Sequence, residues 1–220
     1  MKTIIISDTH SKHDKLILDG CDLIIHCGDF SHNEMQLFDF IEWFSKQNSK
    51  YKILIAGNHD LYVDFIRYNE MKLLCELHNI IYLQDSFTIL EGIKFYGSPM
   101  SNEFGVYPFM TNEMKLKMYW DLIPEDTDVL ITHGPAYMVG DIVKLNEDEN
   151  INVGSISLSE RIKNLNIKYH FFGHIHLCGG SVYEQNGYIA YNASSSYEHY
   201  EKEYGKLKKP TTFDINIINN

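Results

Sequence analysis

TIIISDTH, residues 3–10, runs four β-branched residues into an aspartate and a histidine set two positions apart. A run that is apolar at nearly every position suits a strand covered on both faces, as in a sheet packed under helices. LIIHC (23–27) and KILIA (52–56) repeat the pattern, each giving way at once to polar residues or glycine. Between them NEMQLFDFIEWFSKQ (33–47) has apolar residues at helical spacing behind Asn33, which suits an N-cap. The first half of the chain therefore alternates strand and helix.

Further along, NIIYL (79–83), FTILEG (87–92) and IKFYGSP (93–99) read as a hairpin region. Helices are expected over 113–122 and 155–165, with DVLITHG (128–134) another strand ending in a polar loop. YHFFGHIH (169–176), a pair of strands about the glycine of GSVYEQNGYIAYNAS (180–194) and a last strand near TTFDINI (211–217) close the chain. LNEDENIN (145–152) reads as solvated loop. Strand–helix alternation followed by paired strands predicts an α/β fold of two packed sheets flanked by helices.

The 220 residues fit one domain, 1–220, with a substantial core. With 44% hydrophobic and 22% charged residues the composition is that of a soluble globular protein. No apolar run approaches the roughly 20 residues that span a bilayer. The start, MKTIIISDTH, stops being apolar at Asp8, short of the about 7–15 residues of a signal h-region. Cys21, Cys27, Cys75 and Cys178 show no CxxC spacing, so reduced thiols and a cytoplasmic location are expected. A net charge of −11 opposes tracking of long nucleic acid, because the basic KLKKP (206–210) stands beside the acidic YEHYEKEY (197–204). A small substrate held by concentrated positive charge fits better.

Metal-binding residue types recur at the predicted strand ends: Asp8 and His10; Asp29; Asn58, His59 and Asp60; His133; His174 and His176. In four of these five groups a glycine is adjacent. Taken singly, each is an ordinary turn, cap or surface residue. Together, two Asp, one Asn and four His make seven donors, enough for two ions with one carboxylate shared, where a single structural zinc would leave half of them unused. His174 and His176, at strand spacing, are expected on one face. Cys178 follows them closely, but the set is full without it. His26 and His170 lie inside apolar runs and are expected buried and hydrogen-bonded.

The series Asp8-Thr-His10, Gly28-Asp29, Gly57-Asn58-His59-Asp60, His133 and Gly173-His174-Ile-His176 resembles the calcineurin-like metallophosphoesterase superfamily over nearly the whole chain. SDTHS, IHCGDF, IAGNHD, IYLQDS, YGSP, LIPEDTDVLITHGP, FGHIH and YNAS are similar to the small metallophosphoesterase-domain proteins of mammalian brain, a group like the class III cyclic-nucleotide phosphodiesterases. The resemblance implies a four-layer α/β/β/α sandwich of two mixed sheets flanked by helices. It implies that Asp8, His10, Asp29 and His176 hold one divalent ion, and that Asp29 bridges to a second held also by Asn58, His133 and His174. His59 would face the substrate as general acid, and Asp60 would orient its ring.

The implied reaction is phosphoester hydrolysis by a hydroxide shared between the ions. Mixed nitrogen and oxygen ligation suits Mn, Fe, Zn, Co or Ni, with Mn favoured. A monoester dianion usually calls for guanidinium clamps, whereas Arg67 and Arg161 are the only arginines and GDFSHN lacks the one that phosphoprotein phosphatases carry after Gly-Asp. A small phosphodiester is therefore favoured over a monoester, over a nuclease substrate, and over a non-catalytic interaction module. Phe104, Tyr107 and Phe109 in NEFGVYPFM (102–110) could carry a nucleotide base. Oligomeric state is not legible.

Overall fold

The computed structural model describes residues 1–146, 149–198, 201–203 and 205–216. In chain order the elements are β1 (Lys2–Ile6), β2 (Cys21–Cys27), α1 (Glu34–Ser45), β3 (Ser49–Ile55), α2 (Leu61–Phe65), α3 (Tyr68–Leu77) and β4 (Ile81–Tyr82). They continue with β5 (Ser86–Leu90), β6 (Ile93–Ser98), β7 (Ser101–Asn102), β8 (Met110–Thr111), α4 (Glu113–Trp120), β9 (Val129–Thr132), β10 (Ile142–Lys144) and β11 (Asn150–Asn152). Last come α5 (Ile156–Ile162), β12 (Tyr169–Phe172), β13 (Val182–Glu184), β14 (Ile189–Asn192) and β15 (Thr211–Asp214).

Two mixed sheets result. The first has the order β15-β1-β2-β3-β4, parallel except for β15 at its edge. The second, β13-β14-β12-β9-β6-β5, is parallel at its centre and antiparallel at both edges. The near-continuous apolar strands have a simple cause: both faces are covered. Ile5, Leu23, Ile25, Ile53 and Ile55 point between the sheets against Phe95, Val129, Ile131 and Phe171. Their neighbours Ile4, Ile6, Ile24 and Leu54 meet Phe40 and Phe44 of α1 and Met71 of α3. On the far side, Tyr96 and Leu130 pack against Leu116 and Trp120 of α4 and Leu158 and Ile162 of α5. Each fully buried Ile contributes about 1.5–3 kcal/mol relative to exposure. The layers are helix, sheet, sheet, helix.

Helix starts follow their side chains. Asn33, Asn112 and Ser155 each accept a bond from the amide three residues on, opening α1, α4 and α5. The 79–83 stretch departs from expectation: Ile81 and Tyr82 do not join the hairpin but pair in parallel with Ile53 and Leu54, because the preceding α3 returns the chain to the first sheet's edge. β5 and β6 alone make the hairpin. The expected loop at 145–152 likewise ends in a strand, β11, which pairs with β10; residues 147 and 148 of that stretch lie outside the described residues. Residue 217 of the last expected strand lies outside them too. Among the described residues no helix is long and apolar enough to cross a membrane.

Candidate metal centre

The carboxyl ends of β1, β2, β3, β9 and β12 open on the same end of the sandwich, so the loops after them meet. Bonds across the two sheets fix that meeting. The amide of His174, after β12, donates to both oxygens of Asp8, after β1, at 3.1 and 3.0 Å. His133, after β9, places Nδ1 2.8 Å from the carbonyl oxygen of Cys27 at the end of β2.

Two clusters of donor atoms form there. Asp8, His10 and His176 make one, with Nε2 of His10 and His176 3.2 Å apart and Asp8 Oδ1 3.4 Å from His176 Nε2. Asp29, His133 and His174 make the other, with Asn58 Oδ1 2.9 Å from His133 Nε2. Asp29 faces both: Oδ1 lies 3.4 Å from His133 Nε2, and Oδ2 lies 3.9 Å from His10 Nε2.

These donor sets fit cations. His133 Nδ1 meets a carbonyl and must be a protonated nitrogen, which leaves Nε2, aimed at the oxygens of Asn58 and Asp29, as the position that a proton or a metal ion takes. Electron-pair donors that converge in this way are satisfied by a positive ion, and a metal that binds there displaces the proton. Asn58 Nδ2, buried, finds no hydrogen-bond partner among the described residues. Burial pulls His10 down to about 4 and His174 to about 3, so both rings stay neutral, the form a metal takes. Burial also pulls on His133, but Asp29 and Asp8 outweigh it and lift the ring to about 9. Burial works against the Asp8 and Asp29 charges as well, yet the imidazoles beside them hold both carboxyls below the usual range.

The backbone is strained where the donors sit. Asp8, His10, Ser11, Asp29 and His174 have φ between 42° and 68°, a region that costs a side-chain-bearing residue on the order of 1–3 kcal/mol. Ladder-like bonds hold them, from the amides of Asp8, His10 and Ser11 to the carbonyls of Gly28, Asp29 and Phe30. Two glycines make room. A Cβ on Gly57 would stand 2.4 Å from Asp29 Oδ1, and one on Gly173 2.3 Å from Asp8 Oδ2. That positive φ at His174 also overturns the expectation that His174 and His176 share a face. β12 ends at Phe172, the chain turns, and the two rings enter different clusters.

Asp60 requires a second correction. Its carboxylate does not reach for the His59 ring; it accepts from the amides of Asp29, Phe30, Ser31 and Gly57 at 2.7–3.0 Å, and from the Ser31 hydroxyl at 3.3 Å. Burial and the Asp29 charge push this carboxyl upward, but five donors aimed at its two oxygens keep it an acceptor. It ties the loop after β2 to the loop after β3. His59 is half-buried, its ring edge-on to His10 at 5.1 Å and beside Tyr107 at 5.2 Å, outside both clusters.

Sequence reading missed His32, whose ring stacks on His10 at 5.4 Å and meets His59 edge-on at the same distance. Its place three residues after Asp29 was the available signal. His26 and His170 are fully buried, bonded to the hydroxyls of Thr9 and Thr132. Cys178 turns its sulfur toward the Ile142 carbonyl instead of either cluster.

Residues 1–178 match the family model of the calcineurin-like phosphoesterases. The chain belongs to that family. Proteins similar to it include human metallophosphoesterase domain-containing protein 1, 34% identical over 197 residues that cover 79% of this chain and 60% of that one. UPF0046 protein K07C11.7 of Caenorhabditis elegans is 32% identical over 205 residues, covering 86% of this chain and 66% of the other. The chain thus spans 60–66% of the length of these relatives. Among solved structures, TT1561 of Thermus thermophilus overlays with a TM-score of 0.64 at 16% identity, covering 89% of this chain and 91% of that one. The phosphopantetheinyl hydrolase of Mycobacterium tuberculosis gives 0.60 at 14%, covering 89% of each. Both likenesses speak to the fold.

Proposed function

We propose that the chain is a metal-dependent phosphodiesterase acting on small phosphodiesters, nucleotides among them. One observation carries this: the Asp29 carboxylate stands between two donor clusters with one oxygen turned toward each. Asp8, His10, Asp29 and His176 would hold one divalent ion, and Asp29, Asn58, His133 and His174 the other. When bound, such a pair supplies Lewis acidity toward phosphoryl oxygens and an acidified water.

The chain's own residues divide the remaining work. Asp60 fixes the loops that carry Asp29 and Asn58. His59, outside both clusters, is free to give a proton to the leaving oxygen, a role worth typically 10²–10⁴-fold. Diesters are favoured because no guanidinium is committed to the centre: Arg161 donates to the Ile123 carbonyl, and Arg67 is exposed at the start of α3. Nucleotides are favoured because Phe104 lies 5.7 Å from the His174 ring, 66% exposed, with Tyr107 beside His59. Phe109 instead packs against the cores. Stacking on an open ring supplies about 1–3 kcal/mol per base.

The test is a panel of 2′,3′- and 3′,5′-cyclic nucleotides, bis-aryl phosphates and monoesters with Mn²⁺-loaded protein. Diesters are expected to turn over faster than monoesters, and Phe104→Ala to raise KM for nucleotides alone. His59→Ala should slow alkyl esters far more than activated aryl esters. A monoester preference sinks the diester reading, and equal losses on both ester types remove His59 as the acid.

A further inference from the structure

The two clusters are anchored differently. His133 and His174 are set by the sheet core, through the Cys27 carbonyl and the end of β12. His176 stands beyond the last strand of that core, at the head of the 3-10 turn His176–Cys178. What holds it comes from the far end of the chain. Lys208 Nζ donates to the His176 carbonyl oxygen at 2.5 Å. On the other side of the same residue, Glu198 Oε1 lies 4.0 Å from the His176 ring at Nδ1, the nitrogen turned away from Asp8. Asn192 Nδ2 donates to the neighbouring Ile175 carbonyl at 3.0 Å.

The same stretch grips Asp8. The Ser196 hydroxyl donates to the Asp8 carbonyl at 2.7 Å, and the Ser195 amide to the Ser7 carbonyl at 2.9 Å. Ser196 pairs with Leu207 in an antiparallel bridge, the Lys208 amide donates to the Ser195 carbonyl, and the Lys208 ammonium sits over the Tyr197 ring at 4.9 Å. The 194–198 segment and Lys208 therefore brace each other as well as the cluster. All of them lie beyond residue 178, where the family match ends.

We propose that Lys208 and Glu198 are positioning residues for the first ion: Lys208 fixes the His176 backbone through its carbonyl, Glu198 sets a negative charge beside the ring, and together they set the affinity of the Asp8–His10–His176 cluster without touching the second. A carboxylate 4.0 Å from the outer nitrogen is beyond hydrogen-bond reach and acts through its charge, strengthening the ring's donation to a cation; loss of an outer-shell partner costs typically 10–100-fold in metal affinity. A lysine donor on the same residue's carbonyl fixes the backbone from which the ring projects. This rests on the two-ion reading, which the wild-type stoichiometry tests by itself.

The experiment is Mn²⁺ titration of the apoprotein with the electron paramagnetic resonance spectrum recorded at saturation, for wild type, Lys208→Ala, Lys208→Arg and Glu198→Gln. Wild type binding two ions gives a spin-coupled pair; wild type binding one would sink the two-ion reading instead. Lys208→Ala and Glu198→Gln are expected to weaken one ion about 10–100-fold, leave the other unchanged, and yield the six-line signal of isolated Mn²⁺ at limiting metal. Lys208→Arg, which keeps the donor, is expected to restore the pair. Two ions retained at wild-type affinity in both Lys208→Ala and Glu198→Gln overturn the proposal. So does parallel weakening of both ions with a lowered Tm, which marks a general loss of structure.

Discussion

The carboxylate of Asp60 accepts a hydrogen bond from the backbone amide of Asp29 at 2.8 Å, and with its other contacts it holds the residue whose carboxylate oxygens face both donor clusters. Asp60 lies beside His59 in sequence, yet its work is done on the loop after β2. Asp60→Asn would turn an amide group of its own toward at least two backbone N–H groups, so donors would face donors in a fully buried site. The expected loss is on the order of 3 kcal/mol, which for a chain of this size lowers Tm by roughly 6–12 °C. Thermal unfolding of the apoprotein measures it. A variant that unfolds with wild-type Tm but loses alkyl-ester hydrolysis would return Asp60 to the role of orienting His59.

The two glycines next to the donors separate the clusters by a second route. Gly173→Ala places a methyl 2.0 Å from Ser7 Oγ and 2.3 Å from Asp8 Oδ2, a direct clash with the first cluster that the second feels through the backbone of His174, the next residue in the chain. Gly57→Ala places one 2.4 Å from Asp29 Oδ1 and 2.6 Å from His133 Cε1, against the shared carboxylate. Gly173→Ala is expected to weaken the first Mn²⁺ more than the second and Gly57→Ala to weaken both, as read by equilibrium dialysis. Equal stoichiometry in the two variants would mean that the clusters are not independent, and that Asp29 is not what links them.

How much of this was legible depended on the range of the interaction. Asp8, Asp29, Asn58 and His133 follow apolar runs that could be read as buried strands, and parallel strands bring their carboxyl ends together whatever the loops do. That the sheets are covered on both faces was legible from the same feature, since Ile4 and Ile5 need cover on opposite faces, while the four-layer order came from the family resemblance. The shared face expected of His174 and His176 does not form, because strand spacing assumes extended backbone and φ at His174 is +68°, whereas the different ions expected for them agree with their separate clusters. Asp60 was misassigned because sequence neighbours hide a partner 31 residues away. Ser196 on Asp8, across 188 residues, and Lys208 on His176 left no local trace at all.

Two buried histidines outside the clusters give the fold a dependence on pH that one substitution can isolate. Burial lowers His170 to about 3 from an ordinary 6.5, with the ring bonded to Thr132 and no charged partner. His26, lowered to about 3 in the same way, accepts the Gly28 amide on Nδ1 and is fixed as the neutral ring. Above pH 6.5 each is neutral folded and unfolded, so neither contributes a slope. As pH falls below 6.5, the unfolded chain takes up a proton on each that the folded chain refuses until about pH 3, and stability drops by about 1.4 kcal/mol per histidine per pH unit. His170→Gln removes one of these protons. Its stability relative to wild type should therefore rise by about 1.4 kcal/mol for each unit of acidification between pH 5.5 and 4, measured by urea unfolding of the two apoproteins side by side. A difference that stays constant over that range would show that His170 carries its proton in the folded state, contrary to a fully buried imidazole with a hydroxyl and the Phe172 ring for company.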